Sequence, residues 1–382
     1  MSFFDEIQRY SWNTIEKKIY RKSSAEVENA LKNAGRGSLN DFMALLSPAA
    51  SDYIEEMAQI SQQLTLKRFG KTIQLYIPLY LSNECTNGCV YCGFNHQNKI
   101  ARKTLSKAEI RHEARKIKEM GFEHLLLVTG EHPKKAGFEY LREVIQEMTK
   151  IFSMVSIEVQ PMETDEYKEL EKLGLNSVYI YQETYNQKNY KKYHPTGKKS
   201  DFKHRVGTPE RIGEADMHKI GLGVLLGLED WRTDSFFTAL HMRYLQKHYW
   251  KTNFSISFPR LRPFEGSYQP NYEISDKQLV QLITAYRIFD ENAELALSTR
   301  ESPHFRDNVF PLGITTMSAG SKTEPGGYYE ENEELEQFQV ADERHPQKIK
   351  QVVESKGYEA VWKNWDEALD CIRTESHNPQ TL

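Results

Sequence analysis

Residues 81–94 read Leu81-Ser82-Asn83-Glu84-Cys85-Thr86-Asn87-Gly88-Cys89-Val90-Tyr91-Cys92-Gly93-Phe94. Three of the four cysteines in the 382-residue chain stand here, at Cys85, Cys89 and Cys92; the fourth is Cys371. Three thiolates on one short polar loop are a metal site, and their number indicates which kind. Structural zinc takes four closed ligands. A four-iron cluster held by only three thiolates keeps one iron open for a further ligand. A zinc site would need a distant fourth ligand such as His96 or Cys371. A disulfide framework does not suit so long a chain with so few cysteines. Unliganded buried cysteines do not suit a loop rich in Asn, Thr and Gly.

Working outward, the CxxxCxxC spacing, with Tyr91 before the last cysteine, resembles the cluster loop of the radical S-adenosylmethionine (SAM) enzymes. That resemblance implies a [4Fe-4S] cluster whose open iron chelates the amino and carboxylate groups of SAM.

Composition sets the frame. Apolar residues make 39% of the chain, and 50 basic against 54 acidic side chains give a net charge of −4. Such balance favours neither nucleic acid nor an anionic membrane surface as partner. No stretch approaches the roughly 20 apolar residues of a membrane helix, and the acidic start lacks a signal core. A cytoplasmic location is expected, and it suits thiolates that must stay reduced. The basic run Lys191-Lys192-Tyr193-His194-Pro195-Thr196-Gly197-Lys198-Lys199 reads as a solvated loop, with a nucleic-acid patch or a loop near an anionic ligand as the other readings.

The first 70 residues read as a helical extension. Ser23-Ser24-Ala25-Glu26 is a capping box, Gly35 a stop, and a helix after Pro48 places Ile54, Met57, Ala58 and Leu64 on one face. These helices should pack on the outside of the next unit or plug one end. From residue 71 to about 320, eight apolar strands alternate with amphipathic helices. The strands are Leu75–Leu81, Leu125–Thr129, Ser156–Gln160, Val178–Gln182, Gly221–Leu226, Phe254–Phe258, Leu295–Thr299 and Gly313–Met317. Helices are expected over Ser106–Met120 and Ser275–Phe289. The pattern indicates an α/β fold, a (β/α)8 TIM-like barrel, with a partial six-strand barrel as alternative. Residues 321–382 form a C-terminal cap region with a helix around Trp365–Ile372.

In such barrels the chemistry lies at the C-terminal ends of the strands, and polar residues gather there. Glu131 stands where the superfamily has a Gly-Gly-Glu motif, the first Gly being Thr129 here. It is the candidate acceptor for the SAM ammonium. Glu158 and Gln160 should alternate into the barrel, toward ribose or methionine. Gly223 in Gly221-Leu222-Gly223 should let backbone approach adenine, with Tyr91 facing the same ring. Arg205 is a candidate for the SAM carboxylate. Arg260, Arg262 and Arg300 at strand ends need anionic partners, either a substrate carboxylate or an internal ion pair.

Longer strings carry a narrower resemblance. Met43-Ala44-Leu45-Leu46-Ser47-Pro48, Gly121-Phe122-Glu123-His124, Thr129-Gly130-Glu131-His132, Tyr181-Gln182-Glu183-Thr184-Tyr185, Ser257-Phe258-Pro259-Arg260-Leu261-Arg262-Pro263, Ser298-Thr299-Arg300-Glu301-Ser302, Ser321-Lys322-Thr323-Glu324-Pro325 and Val361-Trp362-Lys363-Asn364-Trp365 are similar to the thiamine-pathway radical SAM tyrosine lyases, the 2-iminoacetate synthases. The resemblance spans almost the whole chain. It implies cleavage of the Cα–Cβ bond of L-tyrosine to 2-iminoacetate and p-cresol, with SAM ending as methionine and 5′-deoxyadenosine. It implies a clamp on the tyrosine carboxylate, assigned to Arg300 with Ser318 or Ser321, and Arg260 or Arg262 as the alternatives. It also implies thiazole synthase as a protein partner and a reduced flavodoxin or ferredoxin-type electron donor. The group that meets the phenol is not assigned. The alternatives are a hydrogenase-maturation-type tyrosine lyase and a biotin-synthase-like sulfur-inserting enzyme. A zinc-stabilised binding module is the non-enzyme reading.

Overall fold

The computed structural model describes residues 2–329 and 336–363. It starts with five helices: α1 (Phe3–Ile7), α2 (Trp12–Tyr20), α3 (Ser24–Lys32), α4 (Leu39–Leu46) and α5 (Ile54–Phe69). Ser23 and Glu26 form the expected capping box. Ser38 and Asp41 form another that opens α4, satisfying backbone N–H groups that no earlier turn can reach.

The next 250 residues supply the strands and their helices in alternation. The order is β1 (Thr72–Ser82), α6 (Lys107–Glu119), β2 (His124–Thr129), α7 (Phe138–Met148), β3 (Met154–Glu158), α8 (Thr164–Lys172) and β4 (Leu175–Tyr179). Then come α9 (Tyr190–Tyr193), α10 (Phe202–Val206), α11 (Thr208–Glu214), β5 (Lys219–Gly223), α12 (Trp231–His248), β6 (Asn253–Ser257), α13 (Asp276–Phe289), β7 (Glu294–Leu297), α14 (Pro303–Val309) and β8 (Thr316–Ser318). Neighbours pair in parallel, and β1 pairs with both β2 and β8. The eight strands therefore close into a (β/α)8 barrel. α4 and α5 pack against α13, so the helical extension lies outside the barrel rather than plugging it.

The alternation in β1 explains why it is a strand. Leu75, Ile77, Leu79 and Leu81 are buried against the surrounding helices, while Tyr76, Pro78 and Tyr80 line the interior. A period of two can do this only on an extended backbone. In β2, Leu125 and Leu127 face outward and Leu126 and Val128 inward.

Each of the eight expected strands is present, but most end about two residues early. The C-terminal tails stay extended while their ladder becomes irregular. Ile180 N–H donates to Gly221 O at 3.0 Å and Leu225 N–H to Glu183 O at 2.9 Å, and Glu183 has φ +67°. The last strand starts at Thr316 rather than Gly313, because a 3-10 turn over Phe310–Leu312 takes up the preceding residues.

The N-terminal end of the barrel is filled. Gln74 Nε2 lies 3.1 Å from His124 Nδ1, His124 Nε2 lies 2.9 Å from Ser156 Oγ, and Lys219 pairs with Glu294 at 2.8 Å. The other end is open to a cavity. Residues 336–342 cross that mouth. α15 (Pro346–Ser355) and β9 (Glu359–Val361) then return the chain, and β9 pairs with Thr72–Gln74 of β1. The helix expected around Trp365–Ile372, and Cys371 with it, lie outside the described residues. No helix among the described residues is long and apolar enough to cross a membrane.

Candidate active site

The cysteine loop leaves β1 and folds back under a fan of hydrogen bonds. Arg102 donates to the carbonyls of Asn83, Phe94, Asn95 and Asn98. Asn95 donates to Cys89 O at 3.1 Å. Gly130 passes so close that a Cβ there would meet Glu84 O at 2.3 Å. The second glycine of the Thr129-Gly130-Glu131 motif is thus a packing requirement of the loop. Cys85, Cys89 and Cys92 line one cavity, open at the mouth, whose wall runs on to Glu158, Arg300 and Ser321.

Burial pushes the Cys85 thiol up to about 11 and raises Cys89 and Cys92 as well. Such thiols give up their protons to a metal rather than to water. Three soft thiolates lining one cavity suit an iron–sulfur cluster with one open iron.

Beside the cysteines stands a network of four charges, Glu183 and Arg205 buried and Glu131 and Lys199 largely so. Arg205 pairs with Glu131 at 2.7 Å and donates to Tyr181 O at 3.0 and 2.9 Å. Asn87 donates to the other Glu131 oxygen at 2.7 Å. Lys199 pairs with Glu183 at 2.7 Å. Burial alone would raise Glu131, but Arg205 and Lys199 hold it below the usual carboxylate range. Burial likewise opposes the charge on Lys199, and Glu183 overrides it, so Lys199 stays an ammonium. Tyr91 lines the cavity between these groups and the cysteines. Its hydroxyl donates to His194 Nε2 at 2.7 Å, and Lys199 sits 5.8 Å from its ring centroid. Thr129 carries a buried hydroxyl without a hydrogen-bond partner at this wall.

Farther from the cysteines, Glu158 lines the cavity and is pushed up to about 7, by burial first and then by Glu183. Arg300 lines it opposite, with its guanidinium carbon 3.3 Å from the Phe338 ring centroid. Arg300 has no carboxylate within ion-pair distance among the described residues. Ser321 adds a buried hydroxyl without a partner, and Ser318 Oγ accepts from Thr299 N–H at 2.9 Å.

Three expectations are corrected. Arg260 does not line the cavity: it is held by Glu301 and, at 2.8 Å, by Asp276. Glu301 also takes Arg262 at 2.8 Å, so both arginines have an internal partner, but Arg262 lines the cavity and its Nε has none. Gln160 turns away and donates to Ala136 O at 3.0 Å, because the regular pleat stops at Glu158 and the alternation stops with it. Gly223 lies behind the Tyr181 ring, 2.9 Å from where its Cβ would stand, and it is Tyr181 that faces the cavity.

Comparison with known proteins places this geometry. The Radical SAM superfamily model matches residues 79–239, and the Biotin and Thiamin Synthesis associated domain matches 257–359. The chain is 50% identical over 369 residues to 2-iminoacetate synthase of Escherichia coli K12, covering 96% of this chain and 98% of that protein. The Salmonella typhimurium LT2 counterpart is 49% identical over the same length. The chain belongs to the 2-iminoacetate synthase family. The crystal structure of HydG, a maturase of the [FeFe]-hydrogenase, has a TM-score of 0.88 at 30% identity, covering 95% of this chain and 81% of that one.

Members of this radical SAM family use a [4Fe-4S] cluster and SAM, and the donor set here fits both. Cys85, Cys89 and Cys92 would hold the cluster. The Glu131–Arg205 pair offers a carboxylate and a guanidinium to a zwitterion. Sequence reasoning missed Lys199, Glu183 and Asn87. Lys199 sits in a run whose other lysines are exposed. The available signal was the reading of that run as a loop near an anionic ligand.

Proposed function

We propose that this chain is a radical SAM lyase that cleaves the Cα–Cβ bond of L-tyrosine to 2-iminoacetate and p-cresol. When bound, the cluster and SAM supply a 5′-deoxyadenosyl radical, with methionine released. The chain's own residues bind, orient and exclude water. Arg300 and Ser321 hold the amino-acid carboxylate, with Ser318 fixed beside them by Thr299. The tyrosine-rich wall of Tyr76, Tyr179 and Tyr181 receives the ring. Gln337 and Phe338 close the mouth over both.

The observation that carries this reading is Arg300. A cationic fork without a carboxylate partner shares one cavity with three cluster-type cysteines. Such a fork matches a carboxylate in two parallel hydrogen bonds. Thiazole synthase is the partner that would take the unstable imine, and a flavodoxin- or ferredoxin-type protein would supply the electron.

The hydrogenase-maturation alternative requires a second cluster with its own thiolates. After Cys92 this sequence has only Cys371, and one thiol is too few for such a cluster. Anaerobic reconstitution with SAM, a reductant and tyrosine tests the proposal. It should yield p-cresol and glyoxylate without CO. Stoichiometric CO would move the chain to the alternative, and neither p-cresol nor 5′-deoxyadenosine would sink both.

A further inference from the structure

The basic run that the catalytic reading leaves over lies directly on the cysteine loop. Val90 N–H donates to Tyr193 O at 3.1 Å and Gly88 N–H to Thr196 O at 3.1 Å. These two bonds flank Cys89 in sequence. Lys188, Lys191, Lys192 and Lys198 in this segment are exposed, and none forms an ion pair among the described residues. Lys134 is exposed on the loop after β2, whose Glu131 carbonyl accepts from Thr86 N–H, next to Cys85. Beside this collar a surface groove is lined by Val90, Lys192, Tyr193, Tyr268 and Tyr272, with Tyr272 43% exposed. The groove's carboxylate, Glu229, is taken up by Asn186, Asn189 and Tyr193. Glu229 keeps its charge among these neutral donors, and exposed Asp201, Glu265 and Glu273 lie nearby; four acids thus offset most, not all, of the charge of Lys134, Lys188, Lys191, Lys192 and Lys198.

On a chain of net charge −4, a positive collar around one aromatic groove is a local departure. Positive rims steer negatively charged partners, and exposed tyrosines are enriched at protein interfaces. The groove reaches Val90, which sits between two cluster cysteines. We propose that this face is the landing surface for an acidic low-potential redox protein. The donor there gives up one electron to the cluster, with no bond made or broken, and leaves oxidised by one electron. This rests on the radical SAM reading of the cysteine loop. The interface expected is a small, salt-sensitive encounter surface, under about 1,200 Å2.

The test compares two reductants on the reconstituted full chain, reading 5′-deoxyadenosine formation and cluster reduction by EPR. Reduced flavodoxin is the protein donor; photoreduced deazaflavin is the small one. The variant Lys191→Glu/Lys192→Glu/Lys198→Glu should slow the flavodoxin-driven rate at low salt by about tenfold or more and leave the deazaflavin-driven rate unchanged. The corresponding Lys→Gln variant should fall between it and the parent chain. Raising salt should slow flavodoxin-driven turnover of the parent alone. Lys150→Glu/Lys172→Glu, at the opposite end of the barrel, should change neither rate. Equal flavodoxin rates in parent and triple variant, or parallel loss with both reductants, would overturn the docking surface. No 5′-deoxyadenosine from the parent with deazaflavin would instead overturn the catalytic reading beneath it.

Discussion

Arg300 lies flat against Phe338, its guanidinium carbon 3.3 Å from the ring centroid. One residue lies in the turn after β7; the other comes from the segment that crosses the mouth. The ring supports the guanidinium face; Nη1 donates to Arg260 O at 3.5 Å, and the other N–H groups remain for a ligand. Burial lowers the Arg300 pKa, with Tyr80 and Glu158 opposing. Grip on the substrate and closure of the mouth therefore meet in one contact.

Arg300→Lys keeps the charge and loses the fork. One charge-assisted hydrogen bond is worth about 1.5–3 kcal/mol. The KM for tyrosine should then rise by roughly 10- to 100-fold, with the SAM affinity unchanged. Tyrosine and SAM titrations on the same reconstituted sample separate the two. An unchanged tyrosine affinity would remove Arg300 from the clamp, and Arg260 is no substitute because Glu301 holds it.

Single Cys85→Ala, Cys89→Ala or Cys92→Ala changes should each abolish reductive SAM cleavage and reduce bound iron from about four per chain. Cys371→Ala should retain both. Iron and sulfide analysis with 5′-deoxyadenosine assay reads the outcome. Equal loss in Cys371→Ala, in a folded protein, would show that three ligands are not the full set.

Glu158 gives a pH signature. Its folded pKa of about 7 lies above the ordinary carboxylate value of 4.5. A raised carboxylate makes the folded state bind more protons than the unfolded state between these values, so its contribution destabilises as pH rises from 4.5 through 7. Glu158→Gln removes that penalty. The apo variant should match the parent near pH 4.5 and exceed it at pH 8, by at most about 3 kcal/mol. Denaturant melts at both pH values check it, and an equal difference at the two would refute the assignment.

The barrel was legible because each strand alternates faces and most helices carry their own start signals, as Ser106/Glu109 and Ser275/Gln278 do. The cysteine loop was legible because its spacing is local. What escaped was partner choice. Arg260 and Arg300 look alike in sequence, and only the fold decides that Glu301 meets the first. Gln160 looked inward because the alternation was carried past Glu158, where the ladder stops. Lys199 looked solvated like its neighbours. It is largely shielded beside Glu183, its side chain 12% exposed, and Asn87 ties its backbone down, Oδ1 accepting from Lys199 N–H at 3.0 Å.

The mouth segment is anchored by a buried charge pair. Asp342 is fully buried and holds Arg306, which is 1% exposed and also donates to Ser318 O. Arg344 adds a second cation to Asp342 at 2.8 Å, and the N–H groups of Ala341 and Asp342 donate to Thr299 O at 3.0 and 3.1 Å. This joint ties the segment carrying Phe338 to the ends of β7 and β8. Asp342→Ala leaves Arg306 buried and unpaired, at a cost of about 3–5 kcal/mol. The melting temperature should fall by several degrees. Because Phe338 loses its tether, the KM for tyrosine should rise while iron content stays unchanged. Arg306→Met/Asp342→Leu removes both charges and should recover much of the stability without recovering the KM. A melting temperature unmoved in Asp342→Ala would show that the joint does not hold the segment.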